Sequence, residues 1–185
     1  MLEDDRLAGW NGFGVVVQAY GPRCSSVIDW IAQTAERLDR KLMVRLVKGA
    51  YWDTEIKLAQ QEGLERFPVF SRKPATDVSY MGNARKLLRH RDRIYPQFAT
   101  HNAHTVAAVL RMVEEEGAKT DEFEFQRLHG MGEALYDMLM KDEGIRCRIY
   151  APVGAHRDLL AYLVRRLLEN GACLLYTSPS PRDRT

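Results

Sequence analysis

Hydrophobic and polar positions along this chain follow two different periods. Five short runs are rich in β-branched and aromatic residues: residues 14–20 (GVVVQAY), 41–47 (KLMVRLV), 97–102 (QFATHN), 123–129 (FEFQRLH) and 146–151 (RCRIYA). Their length and composition predict strands. Between them, apolar side chains recur at helical spacing. One set is Val27, Ile28, Ile31, Ala35 and Leu38, a second is Val106, Val109, Met112 and Val113, and a third is Leu159, Leu160, Leu163 and Leu167. Strands alternating with amphipathic helices predict a parallel sheet with helical crossovers.

Residues 52–95 are long for one crossover. They hold two helical stretches, residues 54–62 and 78–88, split by RFPVFSRKPATD, which Pro68 and Pro74 mark as a loop with turns. Two parallel architectures compete. An open doubly wound sheet places a glycine-rich phosphate loop directly after its first strand. Here the glycines of GWNGFG precede that strand and AYGPR follows it. A closed barrel of eight units uses about 31 residues per unit, so about 170 residues hold five or six. The expectation is an α/β fold: an incomplete (βα) TIM-type barrel of about five parallel strands, lacking its first strands.

Composition narrows the class without choosing the chemistry. The 185 residues are 45% hydrophobic and 28% charged, with a net charge of +2, an ordinary globular balance. Cys24, Cys147 and Cys173 are odd in number and far apart, which predicts neither a zinc site nor a disulfide framework and suggests a reducing compartment. No apolar run is long enough to span a membrane, and the acidic start MLEDDRLAGW does not read as a signal peptide, so the expected location is cytoplasmic. Residues 173–185 (CLLYTSPSPRDRT) lack periodicity. They read as a disordered end and look like translated sequencing-adapter DNA, so the expected domain is residues 1–172.

Every predicted strand ends in polar or aromatic residues: Gln18 and Tyr20; Arg45, Lys48 and Tyr51; Thr100, His101 and Asn102; Gln126 and His129; Tyr150. Barrel active sites form at that C-terminal rim. Arg45 lies among apolar neighbours, where an arginine needs either an ion pair or a ligand to face. Gly49 and Ala50 after it leave room for close backbone approach. Arg165, Arg166 and Glu169 form a second constellation. Glu169 is four residues after one arginine and three after the other, so either a solvated helix end or a carboxylate clamp fits. His101 and His104 could share a helix face, but no third ligand pattern accompanies them and a metal is not expected.

The motifs VRLVKGAYWD (44–53), RKPATDVSY (72–80), FATHNAHT (98–105), FQRLHGMGE (125–133), YAPVG (150–154) and YLVRRLLENGA (162–172) resemble proline dehydrogenase. The likeness is to the bifunctional proline utilisation A type, and covers about residues 5–172. The resemblance implies the C-terminal half of a distorted barrel that binds FAD non-covalently and oxidises L-proline to Δ1-pyrroline-5-carboxylate, with quinone as electron acceptor. It implies Arg45 at the flavin's reducible nitrogen and Gln18 on the isoalloxazine ring. Lys48, Gly49, Ala50, Thr100 and His101 would lie along the cofactor. Arg165 and Arg166 would grip the proline carboxylate, oriented by Glu169, with Tyr150 covering the ring and Leu46 touching it. Arg45 and Tyr150 are thus the implied catalytic pair.

The same resemblance implies a substrate-holding lysine and a flavin-side aspartate upstream, an aldehyde dehydrogenase half, DNA binding in some members, and peripheral contact with the membrane. The chain therefore reads as a fragment, expected to bind FAD weakly or not at all and to be inactive by itself. Two other readings stand beside this one. Lys48, at the end of a barrel strand, suits a Schiff-base lyase. A flavodoxin-like binding module would instead need a phosphate loop after the first strand.

Overall fold

A computed structural model describes residues 2–155, 157, 159, 160 and 162–164. Arg165, Arg166, Glu169 and the 173–185 tail lie outside the described residues. After a 3₁₀ turn at Asp5–Leu7 come β1 (Gly14–Gln18), α1 (Cys24–Arg37), β2 (Leu42–Val47), α2 (Trp52–Gln61), α3 (Lys73–Arg89), β3 (Ile94–Ala99), α4 (Ala103–Glu115), β4 (Glu124–Leu128), α5 (Glu133–Asp142) and β5 (Cys147–Tyr150).

All five strands are parallel, and their spatial order is β1-β2-β3-β4-β5. Each crossover therefore moves the chain one strand further in the same direction. A doubly wound sheet reverses direction at a switch point, and a flavodoxin-like sheet does so around its first strand. Among the described residues no reversal occurs, so the flavodoxin-like alternative is set aside. The architecture is an incomplete TIM-type barrel, an open arc of parallel strands with helices in alternation.

Strand burial shows how the layers form. In β2, Leu42, Val44 and Leu46 are buried, while Met43, Arg45 and Val47 are only half-buried. The buried set joins Ile28, Ile31 and Ala35 of α1, Ala84, Leu87 and Leu88 of α3, and Val106 and Val109 of α4 in one core. Phe98, Phe123, Phe125 and Tyr136 extend that core, with ring centroids 5.9–6.0 Å apart. Period-two alternation thus gives one face of the sheet to the helices and leaves the other to polar residues.

Several boundaries differ from the sequence expectation. Helix α3 begins at Lys73 rather than near residue 78, with Pro74 in its first turn. The missing proline N–H costs nothing there, so Pro74 opens the helix instead of marking a loop. Strand β3 runs from Ile94 to Ala99 and includes Pro96, whereas the pattern suggested residues 97–102. Thr100, His101 and Asn102 lie just beyond it. Asn102 caps α4, its side chain accepting from the Thr105 N–H at 2.9 Å.

Candidate active site at the strand ends

The C-terminal ends of β1 and β2 are sewn together by the backbone. The Ala19 and Tyr20 N–H groups donate to the Val47 and Lys48 carbonyls, each at 2.8 Å. Beyond them the chain turns at Gly49, where φ is +148° and an added Cβ would fall 2.2 Å from the Tyr20 ring. Only glycine fits that contact. The Gln18 side-chain oxygen accepts the Ala50 N–H at 3.3 Å, so Gln18, Gly49 and Ala50 form one corner of the rim.

Arg45 sits one layer deeper. Register pairs it with Val16 on one side and Gln97 on the other, which puts all three on the face away from the helices. Its guanidinium lies 4.5 Å from the centre of the Tyr150 ring, a cation–π contact between β2 and β5. Two strands stand between them. At about 4.8 Å per strand, a flat sheet would hold these side chains roughly 14 Å apart. They meet because the sheet curves, so this face is concave. Arg45 Nε is buried there with no hydrogen-bond partner. A buried charged donor without an acceptor is costly.

Further along the concave face lies a polar network centred on Glu124. Glu124, 4% exposed, accepts from Gln97 and Gln126 at 2.8 Å each, and from Arg148 Nε and Nη2 at 2.7 and 2.9 Å. Burial alone would raise the Glu124 carboxyl's pKa, but these donors outweigh it and hold the group below its ordinary value.

Thr100 and His101 are also buried at the rim, and both are engaged. The Thr100 hydroxyl oxygen accepts the Asn102 N–H at 3.2 Å. The Thr100 carbonyl accepts the Tyr136 hydroxyl at 2.7 Å, and His101 Nε2 accepts the Leu128 N–H at 2.9 Å. An accepting Nε2 places the neutral imidazole's proton on Nδ1. Among the described residues no cluster of histidine, cysteine and carboxylate groups could hold a metal.

Lys48 and Leu46 both turn their side chains toward the helices. Lys48 Nζ pairs with Asp77 at 2.6 Å and lies 6.0 Å from the Tyr80 ring, and Lys73 holds the other Asp77 oxygen at 2.9 Å. Burial opposes ionisation of Asp77, but the two lysines prevail and lower its pKa. Lys48 thus continues the helix-facing series of β2, and its amine is committed to an ion pair. That counts against a nucleophilic role in Schiff-base chemistry and leaves its backbone, beside Gly49, as the part nearest the rim. Leu46 is fully buried in the core with Leu42 and Val44, on the face opposite Arg45. Strand alternation turns its side chain toward the helices rather than toward the concave face.

Comparison with known proteins places this geometry. A profile of the proline dehydrogenase family (Pro_dh) matches residues 1–177. The chain belongs to the proline dehydrogenase family. It is 58% identical over 174 residues to the Bifunctional protein PutA of Salmonella typhimurium, a match covering 91% of this chain and 13% of that protein. With Proline dehydrogenase 2 of Bacillus subtilis it shares 34% identity over 154 residues, 83% of this chain and 44% of the other. Among solved structures, a point mutant of Bradyrhizobium japonicum Proline Utilization A (PutA) superposes with a TM-score of 0.85 at 64% identity, covering 92% of this chain and 17% of that one. PutA from Bdellovibrio bacteriovorus inactivated by N-propargylglycine gives a TM-score of 0.85 at 39% identity, over 90% and 17% of the two chains. The chain therefore spans a small part of the bifunctional proteins of this proline dehydrogenase family.

Asp77, Glu124 and Tyr136 were not among the expected site residues. For Asp77 a signal existed in its spacing of four from Lys73 on one helix. Glu124 meets Gln97 and Arg148 on neighbouring strands and Tyr136 meets the Thr100 carbonyl, contacts that spacing within one element does not reveal. Helix α5 was itself missed, although Leu135, Tyr136 and Leu139 have helical spacing.

Proposed function

We propose that the whole protein oxidises L-proline to Δ1-pyrroline-5-carboxylate with FAD as its cofactor, quinone receiving the electrons. The observation that carries this reading is Arg45: a guanidinium on a concave barrel face, its Nε buried without an acceptor and its central carbon 4.5 Å from the centre of the Tyr150 ring. Such a donor fits a cofactor ring that can accept a hydrogen bond. FAD, when bound, supplies the two-electron acceptor that removal of a hydride from the proline ring requires.

Each residue then has a task of its own. Arg45 donates to the cofactor and places a fixed positive charge beside it, favouring the more anionic reduced state. Gln18, Gly49, Ala50 and the Thr100–His101 turn line the remaining rim, with Lys48 contributing its backbone. Tyr150 covers the proline ring and keeps water from it. Arg165 and Arg166, outside the described residues, hold the proline carboxylate by bidentate bonds, with Glu169 orienting them. Anchoring proline by its carboxylate leaves the ring nitrogen and carbons free to react. Delivery of electrons to quinone calls for peripheral contact with a membrane. No helix among the described residues is long and apolar enough to cross one.

The test is a chimera in which this sequence replaces the matching region of the Salmonella typhimurium protein. The expected product is a yellow protein with one FAD per chain that reduces a quinone analogue when given L-proline. A folded, colourless chimera that leaves proline unoxidised overturns the reading.

A further inference from the structure

We propose that Tyr136 is a positioning residue for the cofactor: from helix α5 it fixes the Thr100–His101 turn. This rests on the flavin reading above. Strand β3 ends at Ala99, and the two carbonyls at its exit are each met by a fully buried tyrosine from a different helix. Tyr80 of α3 donates to the Ala99 carbonyl at 3.4 Å, a long and weak bond. Tyr136 of α5 donates to the Thr100 carbonyl at 2.7 Å, a short one. Burial raises the pKa of both phenols, so both remain donors.

The Tyr136 bond is half of a clamp. His101, the next residue, accepts the Leu128 N–H at the end of β4, which leads through residues 129–132 into α5. Gly132 precedes α5 at φ +66°, and a Cβ there would stand 3.5 Å from the Tyr136 ring and 3.6 Å from His101. The β3–α4 turn is thus gripped from α5 through Tyr136 and from β4 through His101. Thr100 in turn accepts the Asn102 N–H, and Asn102 caps α4. Removing one hydroxyl frees the turn at its centre and leaves the aromatic packing against Phe125 in place.

Two measurements test this, with Tyr80→Phe as the control because it makes the same chemical change in an equally buried ring. In the full chain without flavin, amide hydrogen exchange should accelerate at Asn102, Thr105 and Leu128 in Tyr136→Phe and not in Tyr80→Phe. In the chimera, Tyr136→Phe should raise the Kd for FAD roughly tenfold, the effect of one lost buried hydrogen bond, while Tyr80→Phe leaves it within about twofold. Unchanged exchange at those amides, or equal FAD affinity in the two variants, overturns the inference. If the chimera with the unaltered sequence binds no FAD, the flavin reading itself fails and takes this inference with it. FAD binding that Arg45→Met perturbs and Tyr136→Phe does not sinks the positioning role alone.

Discussion

Arg45 and Leu46 are neighbours on one strand and have opposite surroundings. Leu46 has no exposed surface and joins a core built from α1, α3, α4 and α5 and the aromatic cluster at β3 and β4. Arg45 faces a concave surface where polar groups satisfy one another except at its own Nε. The apolar face holds the arc of strands in place, and the polar face leaves one buried nitrogen of Arg45 without an acceptor, as is Arg127 Nε on β4. Stability and chemistry are thus divided between the two sides of one sheet.

The most damaging single change should fall on the apolar face. Leu46→Ala removes a fully buried side chain and should cost about 2–5 kcal/mol. A urea titration checks it: a midpoint close to the unaltered chain would mean that the core around β2 is not packed as described. Next in size come Arg165→Met and Arg166→Met in the chimera. Each removes charge-assisted bonds of about 1.5–3 kcal/mol, or ~10- to 150-fold in kcat/KM. The loss should appear mainly as raised KM for proline, with FAD content unchanged. Normal proline affinity in both variants would remove the carboxylate clamp.

Glu124→Gln sharpens the comparison from the polar side. It should cost about 1–3 kcal/mol at neutral pH, since Arg148 loses a charged partner and one of the two acceptor oxygens becomes an NH2 donor. The sign with pH follows from a folded pKa below the ordinary 4.5. The carboxylate's contribution is full above the unfolded value and is lost as pH falls through the folded one. The gap between Glu124→Gln and the unaltered chain should therefore narrow as stability is measured from pH 7 to pH 3. A gap that widens on acidification contradicts the assigned network. The smallest effect is expected of Asp77→Asn, because Lys48–Asp77 is a partly solvated pair worth about 1 kcal/mol or less. Borohydride with a carbonyl substrate should trap no adduct at Lys48 in the unaltered chain, and a trapped adduct would revive the lyase reading.

Much of the fold was legible because period-two runs separated by helical spacing survive in any context. All five strands formed within or overlapping the expected runs. Pro74 misled because proline's effect depends on whether its missing N–H had a partner to lose, and in the first turn of α3 it had none. At the site, Arg45 stood out as a charge among apolar residues, and its contact with Tyr150 across two strands depends on sheet curvature, which the sequence pattern does not encode. Leu46 lies across the sheet from Arg45 because adjacent residues on a strand face opposite ways. Lys48 followed the same alternation to Asp77. Tyr136 and Glu124 stayed hidden because most of their partners come from other elements: Thr100 for Tyr136, Gln97 and Arg148 for Glu124.

The central claim is that Arg45 acts on a bound flavin from the concave face. Its most direct test is the flavin midpoint potential of the chimera, measured with and without Arg45→Met. Loss of the cation should lower the potential and slow reduction by proline, while the apolar face keeps the protein folded. An unmoved potential in a folded, flavin-loaded Arg45→Met protein would contradict the account.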